Sequence, residues 1–246
     1  MRMDQTILLT GRRGVGKTTI CQAVAELACR RGYRPGGVIT PAFYACPACP
    51  ERSRGELSRR ACPADWELAK VGFEAVDVGS GERWPLARTD PSTGSGRGPS
   101  TGSGRGPSTT LRPFDRAQDR QGSGHRQDLD GPRVGPYSFD PAALARALRV
   151  LERAISAGCD LFMVDEIGPL ELEQGKGFAP ILDLLPVEGP THTLIVVRPA
   201  LLDPLLLRLR EAVRRPCRTG FTVFSVTEEN RDELPLQIVE TLWGDG

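Results

Sequence analysis

Gly11-Arg12-Arg13-Gly14-Val15-Gly16-Lys17-Thr18, followed by Thr19, is the stretch that decides the fold. It satisfies G-x-x-x-x-G-K-[ST] at every defined position. The glycines let the backbone close tightly around a phosphate group, with several N–H groups aimed inward. Lys17 adds a point charge toward the β- and γ-phosphates of a nucleoside triphosphate, and the Thr18 hydroxyl offers one coordination place to Mg²⁺. The context matches: the short apolar, β-branched run Thr6 to Thr10 enters the loop as a strand. Ile20, Val24, Leu27 and Ala28 leave it at helical spacing, with Gly32 as the stop. Gly37 to Thr40 reads as a second strand. This β–loop–α–β order implies a mainly parallel sheet flanked by helices.

A second segment points to the same chemistry. Leu161-Phe162-Met163-Val164 is a buried-strand pattern that runs into Asp165-Glu166. An acid at the end of such a strand holds the metal on the side away from the loop lysine. Asp165 is therefore expected to act on Mg²⁺ together with Thr18. Glu166, expected just past the strand end, is placed to polarise an attacking water. Lys17 and Glu166 are the expected catalytic pair.

Between these segments regularity fails twice. From Phe43 to Asp65 no apolar periodicity survives, and Ala-Cys-Pro occurs at Ala45, Ala48 and Ala61. Pro91-Ser92-Thr93-Gly94-Ser95-Gly96-Arg97-Gly98 is repeated unchanged from Pro99 to Gly106, within a polar tract covering residues 90–131. That composition cannot bury enough apolar surface to offset ordering entropy, so a flexible insertion is expected. Between the two breaks, Lys70 to Val78 alternates like a strand, and Gly79 to Gly81 turns it into Arg83 to Arg88 as a β-hairpin. After the second break, Asp140-Pro141 is a helix start, with Leu144, Leu148, Leu151 and Ile155 as one apolar stripe. A helix near Phe178 to Leu185 follows, then a strand at Thr193 to Val197 and a helix from about Leu201 to Val213. A last strand, Thr222 to Val226, and a terminal helix from Arg231 to Leu242 complete the alternation.

Composition bounds the reading. The 246 residues suit one α/β domain with insertions. Thirty-two basic against thirty-one acidic residues give no electrostatic indication of a nucleic-acid partner. No apolar run is long enough to span a membrane. The chain opens directly into the glycine-loop strand, which a cleavable leader would destroy, so a cytoplasmic location is expected. Seven cysteines, an odd number, do not read as a secreted disulfide framework.

The motifs together resemble a known family: the small nucleoside-triphosphatases with archaeal, bacterial and animal members, called cancer-related nucleoside triphosphatase in humans. Four segments carry the resemblance. They are Gly11 to Thr19, Val71-Gly72-Phe73 through Pro85-Leu86-Ala87-Arg88, Val164-Asp165-Glu166-Ile167-Gly168-Pro169-Leu170-Glu171-Leu172, and Val226-Thr227-Glu228-Glu229-Asn230-Arg231-Asp232. The resemblance implies a single RecA-like P-loop domain over residues 1–246. It implies hydrolysis of ATP, GTP and other nucleoside triphosphates to diphosphate and phosphate, with Mg²⁺. By matching position, Gly11 to Thr19 would bind the phosphates, and Leu161, Phe162, Met163, Val164, Asp165, Glu166, Ile167 and Gly168 would form the other side of the nucleotide site. The chain departs from the family in its insertions 43–65 and 90–131.

Other features remain open at this level. Arg88, Arg198 and Arg231 are candidates for a cation that stabilises transition-state charge. Asn230-Arg231-Asp232 contacts the nucleobase or caps the terminal helix. Cys46, Cys49 and Cys62 supply three of the four ligands a structural zinc site needs, and the flanking repeats read instead as insertion. Cys21, Cys29 and Cys159 are expected as buried thiols. Two rivals to hydrolysis stand: a nucleotide or small-molecule kinase, and a nucleotide-binding switch without turnover. Oligomeric state has no signature in the sequence.

Overall fold

The computed structural model describes residues 5–45, 69–89, 131–188, 192–212 and 220–244. The expectations for Cys46, Cys49 and Cys62, and for the repeats within 90–130, lie outside these residues.

The chain enters through β1 (Gln5–Gly11), turns through the glycine loop into α1 (Lys17–Arg30), and returns through β2 (Pro35–Ile39). Then come β3 (Ala42–Ala45), β4 (Ala69–Asp77), β5 (Arg83–Thr89), β6 (Arg133–Val134) and β7 (Tyr137–Phe139). The second half holds α2 (Pro141–Ser156), β8 (Leu161–Ile167), the single-turn α3 (Pro169–Leu172), α4 (Ala179–Glu188) and β9 (His192–Val197). A 3-10 turn at Pro199–Leu201, α5 (Leu202–Ala212), β10 (Gly220–Val226) and α6 (Leu234–Trp243) end it.

All ten strands of the described residues belong to one sheet, ordered β10-β1-β9-β8-β2-β4-β5-β7-β6, with β3 alongside β4. From β10 to β2 every pairing is parallel; from β2 onward every pairing is antiparallel. The expected hairpin is present as β4–β5, and it widens the parallel half rather than standing apart. Along each parallel strand the side chains alternate between two cores. Ile7, Leu9, Leu161, Met163, Leu194 and Val196 pack with α1 and α6. Leu8, Phe162, Val164, Ile195 and Val197 pack with α2, α4 and α5. Burial on both faces explains why these strands read as continuous apolar runs.

Local signals account for the helix starts. The Asp140 carboxylate accepts from the Ala142 and Ala143 N–H groups, and Pro141 follows it; such a cap is worth about 1 kcal/mol. Three expectations shift. Residues 43–45, assigned above to an insertion, continue the edge begun by β2, because Ala42 pairs with Phe73 just beyond the Ile39–Val76 pair. The terminal helix begins at Leu234 rather than Arg231, because the Asn230 side chain accepts from the Thr227 N–H and donates to the Ser225 carbonyl, holding a turn there. Asn230 therefore staples a turn, not a helix end. Cys21 and Cys159 are buried, but Cys29 is exposed on the outer face of α1.

Candidate active site

The glycine loop sits where the parallel strands end, the side of an open sheet on which ligands collect. Gly14 and Gly16 adopt φ of 81° and 108°, a region that disfavours side chains, and Gly16 begins α1 without a side-chain cap. The first N–H groups of this 14-residue helix are thus left for an anion. Gly11 needs its glycine for space as well: a Cβ there would lie 2.7 Å from the Val226 carbonyl oxygen. Lys17 folds back over the loop, its Nζ donating to the Gly11 and Arg12 carbonyls at 2.8 Å each. Burial lowers the Lys17 pKa, against the pull of Glu166 and Asp165 in the other direction.

Asp165 is 2% exposed. Its Oδ2 accepts from the Thr18 hydroxyl at 2.8 Å and from the Thr40 N–H at 3.1 Å. Burial pushes the carboxyl up to about 6, partly offset by those two donors. A buried carboxylate facing a threonine hydroxyl is a set of hard oxygen donors, and a divalent cation would remove the cost of the buried charge. Among the described residues no group of three or more His, Cys, Asp or Glu side chains could hold a metal. A cation beside Thr18 and Asp165 would therefore draw its other ligands from substrate and water, which is the habit of Mg²⁺.

The strand does not stop at Asp165. Pairing between β8 and β9 is lost after Val164–Ile195 and resumes at Ile167–Val197, so Asp165 and Glu166 together oppose Val196. This bulge is local and sharp: Glu166 has φ 69°, the one positive value outside glycine among the described residues. Such a conformation costs about 1–3 kcal/mol and persists where its surroundings impose it. Its effect is to send Asp165 inward and Glu166 toward the cleft, where the Arg198 guanidinium donates to Glu166 Oε1 at 2.6 Å. Both side chains are more than a third exposed, so the pair contributes about 0–1 kcal/mol to stability and serves mainly to fix the carboxylate.

These groups line a cleft of about 440 Å³, which takes in Gly11, Arg13, Gly14, Gly16, Lys17, Thr18, Thr19, Asp165, Glu166 and Arg198. A cavity of about 170 Å³ adjoins it behind Glu166, with Phe73, Tyr137, Phe139, Leu170 and Phe178 in its wall. Of the other residues expected at the site, Arg12 is exposed beside the loop and Val15 packs under it. Leu161, Phe162, Met163, Val164 and Ile167 are buried in the two cores and carry the acids without lining the cleft. Gly168 lines the adjoining cavity. Of the candidate arginines, Arg198 is in the cleft. Arg231 reaches the rim, its Cδ 3.9 Å from a Cβ built at Gly16. Arg88 is exposed on β5, away from both spaces.

A family model described as NTPase matches residues 6–45 and 114–239. The chain belongs to the NTPase family. It is 30% identical over 240 residues to the nucleoside-triphosphatase THEP1 of Methanopyrus kandleri, spanning 97% of this chain and 95% of that one. It is 32% identical over 241 residues to the protein of the same name from Hyperthermus butylicus, spanning 98% and 92%. The solution structure of a human cancer-related nucleoside triphosphatase matches with a TM-score of 0.57 at 23% identity, over 98% of this chain and 99% of that one. At that identity the likeness speaks for the fold: a mixed sheet, parallel from β10 to β2 and flanked by helices, as in P-loop proteins.

Lys70 is a charged cleft residue that sequence reasoning missed. It lies half-buried on β4, with Nζ 3.8 Å from the Phe73 ring centroid and 5.5 Å from that of Tyr137. Burial lowers its pKa, and the neighbouring Arg13 acts in the same direction. Arg13 is held close by, donating to the Tyr137 hydroxyl at 3.0 Å. In the sequence Lys70 is one charge on an alternating strand. Nothing local marks it, because Arg13 and Tyr137, which set it beside the cleft, come from the glycine loop and β7.

Proposed function

We propose that this chain is a nucleoside-triphosphatase that hydrolyses ATP, GTP and related triphosphates to the diphosphate and phosphate with Mg²⁺. The observation that carries the reading is the meeting of Thr18, Asp165 and Glu166 at the open end of α1, with Glu166 aimed into the cleft by the bulge. The open N–H groups at Gly16 and Lys17 would hold the phosphates. Thr18 and Asp165 would hold Mg²⁺, which when bound neutralises phosphate charge. Glu166, kept in place by Arg198, orients a water and accepts its proton as the water oxygen bonds to the γ-phosphorus. The bond from that phosphorus to the β–γ bridging oxygen breaks, and the diphosphate leaves. Lys17 and Lys70 line the cleft and would face the oxygens on which negative charge accumulates. Positioning and electrostatics carry such a reaction. Three free cysteines among the described residues fit a cytoplasmic enzyme. No helix of the described residues is long and apolar enough to cross a membrane.

A phosphotransferase is the second reading, and one observation favours it. The aromatic-walled cavity behind Glu166 is more room than a water needs and could seat an acceptor hydroxyl. Phosphate release from ATP, GTP and CTP with Mg²⁺, for wild type and Glu166→Gln, separates these possibilities. Release strongly reduced but still measurable in Glu166→Gln supports the hydrolase. Tight triphosphate binding with no release by the wild type would overturn it, leaving a transferase or a switch.

A further inference from the structure

We propose that Glu171 is a positioning residue, a buried carboxylate that clamps the chain just beyond Glu166 and so holds the proton-accepting group on line. The kinetic part of this proposal rests on the hydrolase reading.

Glu171 is 4% exposed, on the one-turn helix that follows β8. Its two oxygens are divided between two places in the chain. Oε2 accepts from the Gly168 N–H at 2.9 Å, and Oε1 accepts from the Phe178 N–H at 3.3 Å. One carboxylate thus ties the start of the 168–178 segment to its end. The segment is built to admit it. Gly177 has φ +60°, and a Cβ there would collide with Glu171 Oε1 and with the Leu170 side chain. Leu170 and Phe178, both buried, anchor the same stretch to the interior.

The bond to the Gly168 N–H also caps the one-turn helix from its third residue, but burying a carboxylate works against stability. What the clamp does is local. Gly168 is the second residue after Glu166, whose positive φ its own side chain disfavours. That conformation has to be imposed from outside. On one side the ladder does so, through the Ile167–Val197 pair. On the other side the Glu171 carboxylate does so, by fixing the Gly168 N–H. Glu166 sits between the two restraints, and its carboxylate is taken up by Arg198. Without the second restraint the Gly168 amide is free to turn, and Glu166 with it. A misplacement of about 1 Å is enough to cost a reaction a factor of ten to a hundred.

The test uses the full chain and four variants: Glu171→Gln, Glu171→Asp, Glu166→Gln and the Glu166→Gln/Glu171→Gln pair. Gln keeps the shape, but its NH₂ confronts one of the two N–H donors; Asp keeps the charge but falls short of both. Steady-state phosphate release with Mg-GTP, thermal midpoint, and amide exchange at Gly168 and Phe178 are measured. For Glu171→Gln the expected result is kcat lower by about tenfold, KM within about twofold, and faster exchange at Gly168, the midpoint serving to show that the variant is folded. Because Glu171 acts through Glu166, the same change in the Glu166→Gln background is expected to lower kcat by less than about twofold. A full tenfold loss in that background, or an unaltered kcat alongside faster exchange, overturns the proposal. If Glu171→Gln does not fold, Glu171→Asp is read by the same criteria. If the wild type releases no phosphate, the hydrolase reading fails, and the clamp is judged by exchange alone. Unchanged exchange at Gly168 in a folded variant then overturns it, and faster exchange with triphosphate binding retained supports it.

Discussion

The Thr18 hydroxyl donates to Asp165 Oδ2 at 2.8 Å, joining residues 147 positions apart in the chain. One opens the helix after the glycine loop and the other begins the bulge in β8. Lys17 rests on the Gly11 and Arg12 carbonyls, which braces the loop from within. On the proposed function, a bound triphosphate would exchange these internal partners for its own oxygens.

If Thr18 and Asp165 share a cation, its removal should abolish turnover, leaving part of the triphosphate binding, which also rests on loop N–H groups. Chelation with EDTA is expected to stop phosphate release. Asp165→Asn should lower kcat about a hundredfold or more while raising KM far less. Titrating Mg²⁺ against turnover for both proteins checks this. An Asp165→Asn variant with the wild-type Mg²⁺ requirement would count against the assignment.

Arg198 reaches Glu166 and nothing comparable among the described residues replaces it. Arg198→Ala should reduce kcat by about ten- to a hundredfold, with the thermal midpoint within a few degrees because the pair is half exposed. Arg198→Lys should recover part of the rate, since a lysine restores the charge without the planar fork. The comparison is steady-state turnover against melting for the two variants. Equal rates in Ala and wild type would remove Arg198 from the mechanism.

Lys70 predicts a different pattern. It lies over Phe73 and lines the cleft, and burial lowers its pKa. Lys70→Met should keep or slightly raise stability, because a partly desolvated cation is removed at a loss of about 0.5–1 kcal/mol of cation–π attraction. Turnover should still fall by about tenfold. Stability lost in step with activity would instead mark Lys70 as a packing residue.

Glu171 sets a pH dependence of stability. Burial raises its pKa from 4.5 to about 7, against hydrogen bonds from Gly168 and Phe178 that pull it down. The native state therefore holds this proton more tightly than the unfolded chain does. The resulting stabilisation is full below pH 4.5 and is lost as pH rises through about 7. Relative to Glu171→Gln, which does not titrate there, the wild type should lose on the order of 3 kcal/mol between about pH 4.5 and 8. Urea unfolding of both proteins at pH 5, 6.5 and 8, all chosen as test conditions spanning about that range, measures the difference. Parallel curves would contradict the buried, ionising carboxylate.

What could be read from residues alone was whatever depends on short range. The glycine loop, the Asp140-Pro141 cap and the doubly buried run from Leu161 into Asp165 are local patterns with local causes. The bulge is not local. Leu161 to Ile167 looks like an ordinary strand ending, and only the register against β9 shows that Asp165 and Glu166 share one place on the partner. Lys70 is unmarked for the same reason, since Tyr137, which it approaches, comes from β7. β3 escaped notice because its partner lies across the irregular stretch. Arg198 was one of three candidates, and distance to Glu166 is what separates it from Arg88 and Arg231.

The reversal of strand direction at β2 also bears on how this sequence can vary. Residues 46–68 and 90–130 both connect strands of the antiparallel half, joining β3 to β4 and β5 to β6. Strand pairs of this kind are held by their own ladder, and doubling a connection adds only about 0.6 kcal/mol of closure entropy. The parallel half, which fixes the spacing of Lys17, Asp165, Glu166 and Arg198, contains neither stretch. Length can accumulate at one end of the sheet without altering the geometry of the other, so the antiparallel strands act as a buffer between a drifting sequence and a site that must not move.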